Sequence, residues 1–312
     1  MKDQLAIVTA VAAAVFLSQG CANDDSGSGS GGTDGATGGS TAGKGGGGAG
    51  GSTGAKGGAG GRSGDAGTAT GGAGTGGGAG AGGSAGSQPV TCTNPEFTTS
   101  DTNGGWSDGG YYVHNNVWNA SEAGPETLYA CSYKNWYVTS TQPDTTSVKA
   151  YPNVHLDIDN LNGLPLSNYT TITSTFAATT PGVGIYNVAY DIWLDGVGWG
   201  GGTTEVMIWT ENYMQAPLGT EVSSAMTFGG RSYDVYHYTS SSDGGVQVIS
   251  FLSTAVQTSG SIDLKEILDF IVSEGWLDSD ATINQIGYGV EICSTEDQPR
   301  TFYFTDFSVT MN

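Results

Sequence analysis

The chain has 312 residues, 54 of them glycine, and a formal net charge of −21. All seven Trp and all fifteen Tyr follow residue 100, whereas 31 of the Gly lie between Asp24 and Gln88, so the part able to bury a core begins near residue 91 and suffices for one sizeable domain. Beyond that point 25 acidic side chains face only Lys134, Lys149, Arg231, Lys265 and Arg300, which excludes nucleic acid and anionic membrane as partners, since both need a basic face, and suits a neutral ligand in an extracellular setting.

Residues 1–21 read as an export signal. Lys2 supplies the positive end, and Leu5 to Leu17 form an apolar run too short to span a bilayer. The run stops at Leu17-Ser18-Gln19-Gly20-Cys21. This resembles a bacterial lipoprotein processing site, which implies lipidation of Cys21, with Ser18 standing where the pattern wants an aliphatic residue. Any membrane contact would then be through that lipid alone; simple cleavage and secretion is the alternative. Residues 22–89, rich in Gly, Ser, Ala and Thr, lack the side chains to pay for ordering and read as a flexible tether spanning about 40–50 Å. Gly82-Gly83-Ser84-Ala85-Gly86 matches a nucleophile elbow only by chance in such a segment.

Residues 90–312 are expected to form the folded domain. Cys92 and Cys131 flank its first strands and could pair in an oxidising compartment, leaving Cys293 over. Short β-branched and aromatic runs follow, separated by turn residues: Tyr111–Val113, Val148–Ile158, Thr170–Phe176, Tyr186–Leu194, Thr203–Trp209, Tyr233–Tyr238, Val246–Leu252, Ile286–Cys293 and Phe302–Met311. The pattern predicts an all-β, two-sheet jelly-roll sandwich. One segment departs from it. Asp263–Trp276 carries Leu264, Ile267, Leu268, Ile271 and Val272 at helical spacing, with Asp263 and Glu266 placed as a capping box. Gly196–Gly201 fits G-x-G-x-x-G, but it opens a strand rather than a helix and therefore reads as a hairpin loop.

His114, His155 and His237 are scattered, without metal spacing or an acidic partner, so neither a metal nor a cofactor is expected. Asp157 and Asp159 mark a solvated sheet face. Carboxylate chemistry remains. On the strand Thr203–Trp209, alternation sends Val206 and Ile208 into a core and Glu205, Met207 and Trp209 onto one face. A carboxylate, a thioether and an indole make a poor solvent face and a good floor for sugar rings, which marks Glu205 as a candidate nucleophile. Gly287, Gly289, Glu291 and Cys293 share the corresponding face of a later strand, where the glycines leave room for a substrate and Glu291 supplies the second carboxylate. Trp118 and Trp209 are the stronger sugar-stacking candidates, Trp136 and Trp199 the weaker.

Four segments in this order, Asn115-Asn116-Val117-Trp118, Asn187-Val188-Ala189-Tyr190-Asp191, Glu205-Val206-Met207-Ile208-Trp209 and Gly289-Val290-Glu291, resemble glycoside hydrolase family 12. The likeness implies a jelly roll with one packed helix and an open cleft, acting as a retaining endo-β-1,4-glucanase or a xyloglucanase on a β-glucan polysaccharide, as a monomer. It implies that Glu205 is the nucleophile, Glu291 the general acid/base and Asp191 an acid bonded near the nucleophile. It further implies that Trp118 is a stacking platform, that Asn116, Met207 and Trp209 contact substrate, and that Cys92 and Cys131 form a disulfide. Ile292-Cys293-Ser294 and the glycine-rich loop before Glu205 depart from the family pattern. The competing expectations are a glycan-binding sandwich without catalysis and a surface adhesin.

Overall fold

The computed structural model describes residues 92–242 and 244–312. The signal with Cys21 and the whole of the tether lie outside the described residues. In chain order the strands are β1 (Phe97–Thr99), β2 (Gly105–Asp108), β3 (Tyr111–His114), β4 (Glu126–Ser132), β5 (Asn135–Ser140), β6 (Asn153–Asp157), β7 (Ile172–Thr179) and β8 (Ile185–Leu194). There follow β9 (Thr204–Tyr213), β10 (Thr220–Phe228), β11 (Arg231–Ser240), β12 (Val246–Ser253), β13 (Ser259–Asp263), helix α1 (Leu264–Ser273), β14 (Ile283–Ser294) and β15 (Arg300–Met311).

These strands form the two-sheet sandwich. A six-stranded sheet runs β1-β4-β5-β15-β7-β13, and a nine-stranded sheet runs β10-β11-β12-β9-β8-β14-β6-β3-β2. Pairing is antiparallel except between β12 and β9, which run parallel. The inner faces interdigitate through aromatic side chains. Phe176 meets Tyr190 edge to face at 5.9 Å, Phe304 meets Tyr288 at 5.7 Å, and Trp136 stacks on Phe304 at 4.1 Å. Trp136 is therefore a core residue, 1 % exposed, and not a sugar platform. Each such ring contributes about 2–3 kcal/mol by leaving water.

The period-2 readings of the central strands hold. Val206 and Ile208 of β9, Val188, Tyr190 and Ile192 of β8, and Tyr288, Val290 and Ile292 of β14 all enter the core between the sheets. Their alternate residues point to the opposite face of the nine-stranded sheet, which no second sheet covers. Val148–Ile158 is less regular than its sequence suggests. Only Asn153–Asp157 is strand, because Pro152 cannot donate to a ladder, and Ala150 makes an isolated bridge to Ile292.

Helix α1 starts where expected. Asp263 accepts from the Glu266 backbone N–H at 3.2 Å. The box is only half formed, since the Glu266 carboxylate accepts instead from the Gly229 N–H at 2.9 Å and ties the helix to the β10–β11 turn. Leu264, Ile267, Leu268 and Ile271 are buried against the core, as their spacing requires. Cys92 and Cys131 are joined by a disulfide with a Cα–Cα distance of 5.6 Å. Cys293 takes no part in it and is buried.

Candidate active site

β9, β8 and β14 are hydrogen-bonded neighbours, and their open-face residues assemble the site. Glu205 lies opposite Trp193, Asp191 lies between Met207 and Gly287, and Glu291 lies opposite Asn187. Glu205, Asp191 and Glu291 are all nearly buried, at 7 %, 9 % and 8 % exposure, although they sit on the face away from the core. Desolvation of carboxylates is expensive, so burial here favours the protonated forms.

Burial first, then the charges of Asp191 and Glu291, push Glu205 well above the usual carboxylate range. Burial, reinforced by Glu291, lifts Asp191 to about 7. Asp191 and Glu205 also bond to each other. The two carboxyls act on each other across neighbouring strands, so the pair titrates as a unit, with one proton between them when it is singly protonated. An indole N–H serves each member: Trp193 Nε1 donates to Asp191 Oδ2 at 3.0 Å, and Trp199 Nε1 donates to Glu205 Oε2 at 3.1 Å.

Glu291 is raised by burial, an effect opposed by two amide donors. Asn187 Nδ2 at 2.5 Å and Gln215 Nε2 at 2.8 Å both donate to Oε2. Both bonds hold Oε2 as an acceptor, which leaves Oε1 as the atom able to carry a proton. Gln215 reaches this position because the Asn212 side chain accepts from its N–H and donates to its carbonyl, closing a tight loop after β9. Tyr151, donating to the Ala189 carbonyl at 3.0 Å, places its ring beside the three acids.

The remaining sequence candidates fall on the same face with differing duties. Met207 and Trp209 are buried in a small cluster with Ala189 and Val248, and Trp199 packs against it. Met207, Trp209 and Val248 line an open recess with Gln215, Leu218 and Glu291. Trp118 is half-buried against the cluster of Val148 and Cys293, at the end of β14 that carries Glu291. Asn116, in the left-handed region that Asn tolerates (φ 44), turns its amide onto the Tyr151 carbonyl at 3.2 Å, and so shapes the wall that holds Tyr151. His155 has an acidic neighbour after all: its Nε2 lies 3.6 Å from Asp157, its alternate neighbour along β6.

Ten buried side-chain polar atoms lack a partner among the described residues. Five of them, on Asn187, Asp191, Trp209, Gln215 and Ser250, belong to this one wall, a concentration that fits a surface built for a hydroxyl-rich ligand. Sequence reasoning missed Gln215 because its approach depends on the Asn212 turn, and it missed the role of Asn187, which a strand period of two places on the face of Asp191.

Gly289 corrects one expectation. A Cβ there would lie 2.2 Å from the Pro152 carbonyl oxygen and 2.6 Å from Asn153 Cβ, so its open space is filled by the chain itself and not by ligand. At Gly287 the nearest atoms are 3.5 Å away. Gly289→Ala should therefore cost roughly 2–3 kcal/mol or more by overpacking, while Gly287→Ala should change stability little. Equal denaturant midpoints for the two variants would contradict this account.

Known proteins give the same picture. The family model described as glycosyl hydrolase family 12 matches residues 109–312. Endoglucanase S of Pectobacterium parmentieri is 31% identical over 209 residues, covering 60% of this chain and 78% of that protein. Xyloglucan-specific endo-beta-1,4-glucanase A of Emericella nidulans is 28% identical over 218 residues, covering 65% and 87% respectively. An inactive glycoside hydrolase, XLP1 of Phytophthora nicotianae, is also similar, at 26% identity over 204 residues, 59% of this chain and 79% of that one. Among solved structures, the xyloglucanase domain of NopAA, a type three effector from Sinorhizobium fredii, in complex with cellobiose, superposes with a TM-score of 0.63 at 31% identity, over 70% of this chain and 100% of that one. With the matched segment spanning well over half of the sequence and both sheets of the sandwich behind it, this chain is a member of glycosyl hydrolase family 12.

Proposed function

We propose that the chain is a retaining endo-β-1,4-glucan hydrolase working by double displacement at Glu205 and Glu291. The observation that carries this reading is the three-carboxyl cluster itself. Two glutamates on strands either side of β8 share one open face, with Asp191 between them and, among the described residues, no basic side chain bonded to any of the three. A family that includes an inactive relative does not confer activity by membership alone; here both carboxyls are present and held by donors.

In the first step an ionised Glu205 oxygen attacks the anomeric carbon while the proton on Glu291 Oε1 passes to the departing glycosidic oxygen. The sugar–oxygen bond breaks as the glycosyl ester forms. Glu291, now ionised, takes a proton from water, which attacks the same carbon and releases Glu205. Glu205 is the nucleophile in the state that places the shared proton on Asp191, although in the free protein burial and the neighbouring acids raise Glu205 more than Asp191. The half-buried ring of Trp118 suits the flat face of a neutral glucan, whereas Trp209, only 2 % exposed, and Met207 back the recess as buried wall rather than as a stacking platform.

Endoglucanase and xyloglucanase relatives stand side by side, so the backbone linkage is better supported than the branching. Reducing-sugar release and product sizes on barley β-glucan, carboxymethylcellulose and xyloglucan test the assignment. Internal cleavage with retention of the anomeric configuration in the first product is expected. Binding without sugar release on all three would leave a glycan-binding sandwich. A lipoprotein-type export signal and a disulfide in the folded domain together support an exported protein held by a tether.

A further inference from the structure

The loop between β8 and β9 carries Trp199 among glycines 196, 198, 200, 201 and 202, each with positive φ. The loop is pinned at its ends, where Gly196 N donates to Asn284 Oδ1 and Thr203 Oγ1 donates to the Gly198 carbonyl. At Gly200, Gly201 and Gly202 an added Cβ would meet nothing within 4 Å. The glycines are thus needed for backbone conformation rather than for space. What this backbone achieves is to fold Trp199 back over the sheet, against Met207, Trp209 and Val248, with its ring on Tyr238 at 6.1 Å and its N–H on Glu205.

We propose, building on the double-displacement reading, that Trp199 and Trp193 are opposed positioning residues that set which member of the Asp191–Glu205 pair holds the shared proton. Trp199 donates to Glu205 and stabilises that carboxylate; Trp193 donates to Asp191 and stabilises the other. With both indoles in place the pair is poised, and the nucleophile is available without a cation nearby. Removing the donor on Glu205 leaves the proton on the nucleophile. Removing the donor on Asp191 drives it to Asp191. Of the other groups facing the pair, Glu291 from β14 raises both members, and the neutral Tyr151 phenol from the segment before β6 lies beside both, interacting more with Asp191 than with Glu205. His155, on β6, is turned to Asn153 and Asp157. A composition of one Gly-rich loop and two tryptophans therefore does electrostatic work that neither motif announces.

Phenylalanine keeps a ring and deletes the N–H, so the test uses Trp199→Phe and Trp193→Phe in the purified protein, with kcat and KM on β-glucan measured across pH and folding checked by thermal melting. In Trp199→Phe, kcat is expected to fall about tenfold on the acid side, with KM little changed and the acid limb of kcat/KM moved to higher pH. In Trp193→Phe the acid limb is expected to move the opposite way. Trp199→Phe with an unmoved acid limb, or with faster turnover, would overturn the proposal, the latter by making Trp199 an obstruction over Glu205. Limbs moving in the same direction in both variants would also overturn it. A wild-type protein that releases no sugar from any glucan would instead count against the hydrolase reading itself, and titration of the pair by NMR in the two variants would still test the proton's placement.

Discussion

Glu205→Gln and Glu291→Gln are each expected to reduce glucan hydrolysis by about 10³-fold or more while raising or preserving thermal stability. The two halves of that expectation come from one cause. Three acids buried on one face repel one another and lack a compensating cation, so each resists ionisation. An amide at either glutamate removes a charge the fold does not want and the chemistry needs. The two variants then part company with azide. A small anion can replace the missing nucleophile in Glu205→Gln and give an inverted glycosyl azide, whereas in Glu291→Gln it attacks the intermediate and gives a retained one, most visibly with substrates whose leaving group needs no proton. Near-normal turnover by either variant removes that residue from its assigned part, and azide products of the reverse stereochemistry exchange the two roles.

What the sequence disclosed was whatever depends on alternation. Glu205, Met207 and Trp209 on one face and Val206 and Ile208 on the other follow from a strand period of two, and the fold adds only the strand that lies alongside. The helix was legible in the same way, from Leu264, Ile267, Leu268 and Ile271. Strand β10 escaped because its exposed residues, such as Glu221, Ser224 and Ala225, give no apolar alternation, and register shifts interrupt its pairing with β11. The site contacts that were missed are those set by loops. Trp199 reaches Glu205, and Gln215 reaches Glu291, through positive-φ turns and an Asn212 clamp whose outcome no periodicity encodes. Gly289 misled for a related reason: a bare strand position looks alike whether a ligand or another stretch of chain fills it, and here the Pro152 carbonyl does.

Lowering the pH from about 8 to 5 is expected to stabilise this protein, and Glu126→Gln should remove much of that gain. Glu126 opens β4 in the six-stranded sheet, apart from the carboxyls of the cleft. It is 5 % exposed, and burial raises it to about 8 against the pull of Ser140 Oγ and Gln142 Nε2, both of which donate to Oε2. Its Oε1 has no partner, which is tolerable for a neutral carboxyl and costly for an anion. Because the folded value lies above the unfolded one of about 4.3, the folded state binds the proton more tightly. The stabilisation is complete below the unfolded value and is lost as pH rises through the folded one, a window from about pH 4 to 8. By linkage it amounts to roughly 3–5 kcal/mol, before the same-signed contributions of Asp191, Glu205 and Glu291. Glutamine mimics the protonated acid at every pH, so the variant should match the wild type near pH 4 and exceed it near pH 8.5, with a shallower slope between. Urea midpoints at several pH values measure both. An identical slope in the two proteins would mean that Glu126 ionises in the fold at its ordinary pH, and that the donors on Oε2 outweigh its burial.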